Sequence, residues 1–205
     1  MMFFILVMTG KTKGISVLIN SGGDNLKTDF IDNYLWGCIM QCLTPPNALV
    51  CETALQTGWR INDILTLRSD TLSKAYKNNT TRITITEHKT GKKSTKRLTK
   101  DLFCRLYACK GAIYVFEGRD NIYQHRTRQA VWTDLKRARK ALRLPQNVGT
   151  HSARKCYAVD LMKKCNSLDK VQKALNHSYE GDTLIYALAD TYTTLKLRSN
   201  AKRRS

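Results

Sequence analysis

The feature that most limits the fold of this chain is a single change of apolar periodicity near residue 80. Residues 81–86 (TRITIT) alternate polar and apolar side chains, which is typical of a half-buried strand. Thr95 to Leu98 is the predicted partner strand, with the turn at 88–93 between the two. A third strand is predicted at Thr71 to Ala75. The sequence therefore predicts one small antiparallel sheet of three strands.

Helical spacing of apolar residues dominates the rest of the chain. It predicts a helix from Leu26 to Leu43, and a second that opens near Pro46 and stops at Thr57-Gly58. A further helix is predicted over Thr127 to Leu142, with its inner face formed by Val131, Leu135, Ala138 and Leu142. The predicted fold class is α+β, mostly α-helical, with the small sheet as its only β structure.

The charge of the chain points to a polyanionic partner. The 205 residues contain 35 Lys and Arg against 16 Asp and Glu, a formal net charge of +19. Such an excess attracts nucleic acid first and an acidic membrane surface second. Because the basic residues are spread through the predicted elements as well as the C-terminal tail, they favour a folded binding groove over a disordered basic arm.

The cysteines and the N-terminus argue against a secreted or metal-binding protein. The seven cysteines contain no close CxxC pair, and no histidine lies near Cys38 and Cys42 to complete a zinc pattern. They are expected to be reduced thiols in the cytoplasm. Met1 to Met8 is too short to span a membrane and has neither a basic flank nor a cleavage site, so no signal peptide is predicted. Residues 9–25 are predicted to be a loop.

The richest concentration of reactive side chains lies between Gly149 and Tyr186. His151 and Arg154 are three residues apart, so a helix starting near Ser152 directs both toward one spot. Thr150 or Ser152 is predicted to cap the first turn of that helix, where free N–H groups favour an anion.

Two further candidates follow that helix. Asn176-His177 ends a short amphipathic segment, since asparagine tolerates the left-handed conformation that terminates helices. Tyr186 lies nine residues later in an apolar run. Singly, such histidines and tyrosines are more often satisfied core residues than catalytic ones.

Two basic residues elsewhere complete the set. Arg60 lies two residues past the predicted helix stop at Gly58, where Asp63 can pair with it. A solvated surface arginine is the commoner alternative. Lys89 lies at the tip of the hairpin among other lysines. Such a tip is either a solubilising loop or a basic finger that reaches into a DNA groove.

Together these residue types suit the transfer of a phosphodiester. Arginine forks bind phosphate oxygens and stabilise charge that develops on phosphorus. A tyrosine can attack as a covalent nucleophile, although its phenol has a pKa of about 10 and needs neighbours that take its proton. A lysine can supply a proton to the departing oxygen. Neither a metal nor a cofactor is required.

The ordered motifs resemble those of the tyrosine recombinases, the phage-integrase family of DNA strand-exchange enzymes. The match spans Leu26 to Leu197. Its five pieces are Thr57-Gly58-Trp59-Arg60-Ile61-Asn62-Asp63 (TGxRxxE in the family), Lys89-Thr90-Gly91, His151-Ser152-Ala153-Arg154 (HxxR), Leu175-Asn176-His177-Ser178 (LGHS) and Ile185-Tyr186. The chain departs from the family pattern at Asn176, where glycine is usual, and at Asp63, where glutamate is commoner.

The resemblance implies a role for each candidate. The six residues that it marks as catalytic are Arg60, Lys89, His151, Arg154, His177 and Tyr186. The two arginines are expected to clamp the scissile phosphate, the lysine to protonate the 5′ oxygen, and the tyrosine to form a 3′-phosphotyrosyl link. The first histidine is expected to assist proton transfer at the tyrosine, and the second to hydrogen-bond a phosphate oxygen.

The resemblance also implies domains and partners. Residues 26–205 are expected to form the catalytic domain after an N-terminal extension at 1–25, without the separate DNA-clamping domain that family members usually carry. The expected partner is double-stranded DNA, bound by a homotetramer on two duplexes that exchanges the C-terminal segment 188–205. An accessory DNA-bending protein is a further expected partner, and a membrane is not one.

Three alternatives to a recombinase remain at this point. A non-catalytic DNA-binding accessory protein or repressor could keep the same fold, and a DNA-relaxing topoisomerase could use the same chemistry. A membrane-surface role has the least support, because the sequence has no long amphipathic anchor.

Overall fold

The structure is a computed structural model that describes residues 28–177 and 180–202. The predictions for Met1 to Met8, for the loop at 9–25 and for Ser178 of the fourth motif lie outside these ranges. Among the described residues no helix is long and apolar enough to cross a membrane.

Four helices precede the sheet. They are α1 (Asn33–Cys42), α2 (Pro45–Thr57), α3 (Ile61–Leu65) and α4 (Ser69–Lys77). The first begins later than predicted, because the Asp32 carboxylate accepts a hydrogen bond from the backbone N–H of Leu35 at 2.8 Å and caps the helix there. The predicted stop of α2 is confirmed, since Gly58 adopts the left-handed conformation with φ of 71°.

The prediction of a third strand at Thr71 to Ala75 is wrong, because these residues lie in α4. Leu72 and Ala75 are the buried apolar residues of this helix. They are three positions apart, which places them on one face of a helix but on opposite faces of a strand. Within the described ranges the sheet has two strands.

The two strands form the predicted hairpin. They are β1 (Arg82–Thr86) and β2 (Lys93–Arg97), paired antiparallel with Ile83 opposite Lys96 and Ile85 opposite Ser94. Both isoleucines are buried, which fixes the register, because a slip of one residue would turn them to solvent. The six residues 87–92 connect the strands and carry Lys89.

Six helices follow the hairpin in the described ranges. They are α5 (Lys100–Cys109), α6 (Arg128–Ala141), α7 (Ser152–Cys165), α8 (Leu168–Leu175), α9 (Glu180–Ala187) and α10 (Ala189–Lys202). Three of the four predicted inner-face residues of α6 are buried, namely Val131, Leu135 and Ala138. The fourth, Leu142, is the C-cap residue and is partly buried against the core. α7 is central, because α2, α8, α9 and α10 all pack against it.

The core consists of one large apolar cluster and one small one. The large cluster joins α1 to α7, and its members include Trp36, Ile39, Val50, Leu102 and Leu135. The small cluster is built from Ala158, Val171 and Leu175, and Tyr186 packs against it. The candidate nucleophile is thereby anchored by its ring to α7 and α8.

The last helix docks on its own chain. The Thr193 hydroxyl accepts a hydrogen bond from the N–H of Phe30 at 2.9 Å, and the Lys196 ammonium lies 2.9 Å from the Asp29 carboxylate. Lys163 of α7 forms an ion pair with Asp190 at 3.0 Å. The described part of the predicted exchange segment 188–205, which ends at residue 202, is therefore packed within a single subunit.

Candidate active site

All six predicted residues line one pocket of about 570 Å³. They come from the start of α3, the hairpin turn, the start of α7, the end of α8 and the body of α9. Five other residues share the lining, namely Ile61, Asn62, Arg128, Thr150 and Asp182. Folding thus brings together side chains that are up to 126 positions apart in the sequence, from Arg60 to Tyr186.

Arg154 is the most deeply buried member of the set, with 2% of its surface exposed. Its guanidinium donates to the carbonyl of Gly58 at the end of α2 and, at 2.5 Å, to that of Leu175 at the end of α8. Burial, followed by repulsion from Arg60, lowers its pKa to about 10, so it is still a cation at neutral pH. Guanidinium has five N–H donors, so two such bonds leave donors for an anion in the pocket.

Arg60 is held by a carboxylate that the sequence analysis missed. Its Nη1 donates to Glu87 Oε2 at 2.5 Å. The predicted partner, Asp63, lies 3.9 Å from the same nitrogen, which is within ion-pair range but too far for a hydrogen bond. Asp63 instead accepts the backbone N–H of His88 at 2.9 Å. Arg60 therefore enters the pocket with its direction fixed by two buried carboxylates.

The hairpin turn presents Lys89 to the same pocket. The N–H of Glu87 donates to the carbonyl of Lys92 at 2.9 Å, and the N–H of Gly91 donates to the carbonyl of Glu87 at 2.8 Å. Gly91 takes a left-handed conformation with φ of 65°, which a residue without Cβ adopts at little cost. The turn is thus a closed loop with the lysine at its exposed side.

Tyr186 and His151 form the contact that bears most directly on chemistry. The tyrosine hydroxyl lies 3.3 Å from His151 Nδ1. Burial, and then the surrounding cations Arg128 and Arg154, lower the pKa of His151 to about 4. Its imidazole is therefore neutral at pH 7 and can accept the phenol proton in the tautomer that leaves Nδ1 unprotonated.

Two opposing effects act on the pKa of the Tyr186 phenol. Burial raises the pKa of Tyr186, while the nearby arginines Arg154 and Arg60 lower it. The ammonium of Lys155 lies 5.7 Å from the centre of the tyrosine ring. The net shift of the pKa is upward, so the phenol is protonated at neutral pH and would need a base in order to act as a nucleophile.

His177 also contacts the tyrosine ring. Its ring meets that of Tyr186 edge to face, with centroids 5.2 Å apart and an interplanar angle of 83°. Its Nδ1 is 3.2 Å from the Thr183 hydroxyl. Burial, Arg154 and Arg60 lower its pKa to about 3, so it too is neutral at pH 7. The preceding Asn176 adopts the predicted left-handed conformation, with φ of 51°.

Arg128 is a fourth cation of the pocket that the sequence did not single out. Its Nε and Nη2 lie 3.3 and 3.2 Å from the Thr150 hydroxyl, to which they donate. The prediction that Thr150 or Ser152 caps α7 is therefore wrong: Thr150 is turned toward Arg128, and His151 occupies the cap position without a side-chain hydrogen bond. In sequence, Arg128 is indistinguishable from the other basic residues on the outer face of α6; its place at the first turn is what brings it to the pocket.

The arrangement can bind a phosphodiester and attack it. Three guanidinium groups and one ammonium line the pocket and match the charge of a phosphoryl group that gains negative charge in the transition state. A phenol with an adjacent neutral imidazole can supply the nucleophile. Among the described residues, no group of three or more His, Cys, Asp or Glu is placed to hold a metal ion.

Comparison with known proteins identifies a matching family and solved structures with a similar fold. The model of the phage integrase family matches residues 28–192. No curated protein matches the chain. Similar solved structures include XerA recombinase, which is 13% identical with a TM-score of 0.63, over 86% of this chain and 63% of that chain. The catalytic domain of bacteriophage HP1 integrase is 20% identical with a TM-score of 0.59, over 85% of this chain and 94% of that one.

A third similar structure was solved with DNA. XerH site-specific recombinase bound to its difH substrate in a pre-cleavage complex is 19% identical with a TM-score of 0.59, over 77% of this chain and 50% of that one. The present chain therefore spans about half the length of the XerH chain. At these identities the likeness is one of fold.

Proposed function

The chain belongs to the phage integrase family, and from that premise we propose that it is a DNA strand transferase that cleaves and rejoins DNA during site-specific recombination. The observation that carries the proposal is the 3.3 Å contact between the Tyr186 hydroxyl and His151 Nδ1 inside a pocket that is also lined by Arg60, Lys89 and Arg154. In this proposal residues 26–205 act as the catalytic domain.

The proposed reaction is a transesterification with a balanced proton inventory. The Tyr186 oxygen attacks phosphorus and its proton passes to His151. The bond from phosphorus to the 5′ oxygen breaks, and Lys89 gives that oxygen a proton. The products are a 3′-phosphotyrosyl link and a free 5′-hydroxyl. The reverse attack by a 5′-hydroxyl from another strand rejoins the DNA, and since each step replaces one phosphodiester by another, no ATP is needed.

The other residues are proposed to hold the phosphate. Arg60 and Arg154 are directed by fixed partners, Glu87 for the first and two backbone carbonyls for the second, so little ordering is required when DNA binds. His177 is neutral, and with Thr183 at its Nδ1 it can donate from Nε2 to a phosphate oxygen. Such donors, fixed before the reaction, stabilise developing charge without reorganisation.

Double-stranded DNA is the proposed partner. The net charge of +19 supports it, as do the DNA complexes of similar proteins, which include a lambda integrase tetramer bound to a Holliday junction. We propose that this chain also assembles as a homotetramer on two duplexes and exchanges the segment 188–205 with a neighbouring subunit. Thr193 and Lys196 would then leave their contacts with Phe30 and Asp29. An accessory DNA-bending protein remains part of the proposal.

Covalent capture tests the function with a pool of DNA sites in place of one chosen sequence. The protein is incubated with duplexes that carry a randomised core and a nick beside each candidate cleavage position, and protein-linked DNA is recovered after denaturation and sequenced. Wild type is expected to yield an adduct at a defined sequence, and Tyr186→Phe is expected to yield none. Tyr192→Phe, a tyrosine of α10 outside the pocket, serves as the matched control and should behave as wild type.

The other outcomes separate the alternatives. Sequence-selective binding with no adduct from wild type would contradict the proposal and favour a non-catalytic accessory protein or repressor. An adduct without sequence preference, together with relaxation of supercoiled plasmid, would favour a topoisomerase.

A further inference from the structure

We propose that Glu87 is the positioning residue of this site, a single buried carboxylate that holds Arg60, the turn bearing Lys89 and the segment before His177 in one arrangement. The inference rests on the proposed function for its catalytic consequence. Its structural content, the linkage of three motifs through one side chain, can be tested without DNA.

Both carboxylate oxygens of Glu87 are engaged. Oε2 accepts from Arg60 Nη1 at 2.5 Å and from the Thr90 hydroxyl at 3.2 Å. Oε1 accepts from the side-chain amide of Asn176 at 2.9 Å. The three donors belong to three different motifs, and Thr90 and Asn176 each adjoin a residue of the pocket in sequence, Lys89 and His177.

The backbone near Glu87 reinforces the arrangement. Its own N–H and C=O close the hairpin turn through Lys92 and Gly91, as described above. The next N–H, that of His88, is held by Asp63, and the Thr90 hydroxyl also accepts from the N–H of Lys92 at 3.3 Å. Hydrogen bonds therefore fix the chain on both sides of Lys89, and Glu87 takes part in most of them.

Burial explains why this group has to be a carboxylate. Glu87 is 1% exposed, and an isolated charge at that depth is strongly unfavourable unless it is paired and hydrogen-bonded. Its partners are all donors, and a carboxylate accepts at both oxygens. A glutamine of the same size would turn its NH₂ group toward Arg60 and Thr90 or toward Asn176, so that one side of the network is lost.

The first test uses hydrogen exchange in the free protein. Glu87→Gln is expected to raise the exchange of backbone amides both in the turn 87–92 and in the segment 172–177, although the two are distant in sequence. Thr90→Val removes one donor to Glu87 and the acceptor of the Lys92 N–H, both within the turn, and is expected to raise exchange in the turn alone. Asp134→Asn is the matched control: Asp134 is a buried carboxylate, 6% exposed, that accepts from Thr44, Asn47 and Arg137. It should leave both segments unchanged.

The second test measures the single-turnover rate of adduct formation at saturating DNA, per folded molecule. Glu87→Gln is expected to lower this rate by about 10- to 100-fold, the effect of a small misplacement of reacting groups, with little change in the dissociation constant for DNA. Thr90→Val is expected to lower it less. The double variant should be no slower than Glu87→Gln alone, because both changes act through one network. Asp134→Asn should react at the wild-type rate.

The outcomes distinguish this inference from the proposed function. If exchange in the two segments is unchanged by Glu87→Gln, the linkage is absent and the proposal is overturned, whether or not the protein cleaves DNA. If wild type cleaves and Glu87→Gln cleaves equally fast, the catalytic consequence is refuted. If wild type forms no adduct while Glu87→Gln still loosens both segments together, the proposed function fails and the positioning role of Glu87 stands.

Discussion

Lys89 is the residue whose proposed role has the most specific chemical test. A lysine that protonates the 5′ oxygen becomes dispensable when that oxygen is replaced by sulfur, because a thiolate leaves without a proton. We expect Lys89→Ala to slow cleavage of ordinary DNA by about 10²- to 10⁴-fold. On DNA with a bridging 5′ sulfur at the cleavage site, its rate should return close to that of wild type.

Arg154→Ala is the comparison for this experiment. In the proposed reaction this variant loses charge stabilisation at phosphorus rather than a proton donor, so the sulfur substrate should leave its defect in place. An equal response of both variants to sulfur, measured as single-turnover rates, would count against Lys89 as the acid.

Glu87 shows how much of the site could be predicted from single residues. All six predicted residues line the pocket. They could be predicted because each belongs to a short motif of distinctive composition. Glu87 has no such motif, yet the alternation of β1 does indicate its direction: Ile83, Ile85 and Glu87 occupy successive inward positions and all three are buried. The strand pattern predicts that the side chain points inward; its partners Arg60 and Asn176 depend on tertiary packing that the sequence does not show.

At the scale of elements, the end of α2 determines how closely α7 can approach. A Cβ at Gly58 would lie 2.3 Å from the ring of Tyr157 in α7, whereas a Cβ at Gly91 would have nothing within 4 Å. Both glycines have positive φ, 71° and 65°. We therefore expect Gly91→Ala to lower the free energy of unfolding by about 1 kcal/mol, the backbone cost alone. Gly58→Ala should lower it by about 3 kcal/mol, because the ring must also be displaced.

Urea denaturation of the two variants measures this difference directly. Equal losses of stability would show that Tyr157 moves aside freely and that the close approach of α2 and α7 has no energetic importance.

The helices also show which features could be predicted from the sequence and which could not. Helices with long apolar stripes or clear end signals were predicted correctly, as α2 and α6 illustrate. The nine residues of α4 have only two buried apolar side chains, Leu72 and Ala75. Two residues are too few to show a helical spacing, and the segment was therefore predicted as a strand. The predicted cap of α7 failed for a different reason, since the Thr150 hydroxyl is taken by Arg128, a residue 22 positions away.

At the scale of the whole molecule, two half-buried histidines make stability depend on pH. The pKa values of His151 and His177 are lowered to about 4 and about 3, against an ordinary value of 6.5. Between these values the unfolded chain binds more protons than the folded one, so stability rises with pH. Their contribution is complete above pH 6.5 and is lost as the pH falls toward 4 and 3. By pH 5 we expect a loss of about 1 kcal/mol per histidine.

The pH dependence of stability is measured from the midpoints of urea denaturation at pH 7, 6 and 5. The window from 6.5 to 5 lies above the ordinary pKa values of Asp and Glu, so the histidines should dominate the slope there. The variant with both His151→Gln and His177→Gln should lose clearly less stability over this window than wild type. An identical slope in the two proteins would show that the histidines titrate normally.

The hydrogen bonds of Arg154 to Gly58 and Leu175 have a consequence for how natural variants of this chain can be interpreted. A natural variant without the proposed strand-transfer activity would still benefit from this arginine, because the carbonyls at two helix ends accept hydrogen bonds from it. The presence of Arg154 in a natural variant is therefore weak evidence that the variant is active. Among the described residues, the phenol oxygen of Tyr186 contacts His151 and no backbone carbonyl. A natural variant with phenylalanine at this position is therefore the one expected to lack the proposed activity.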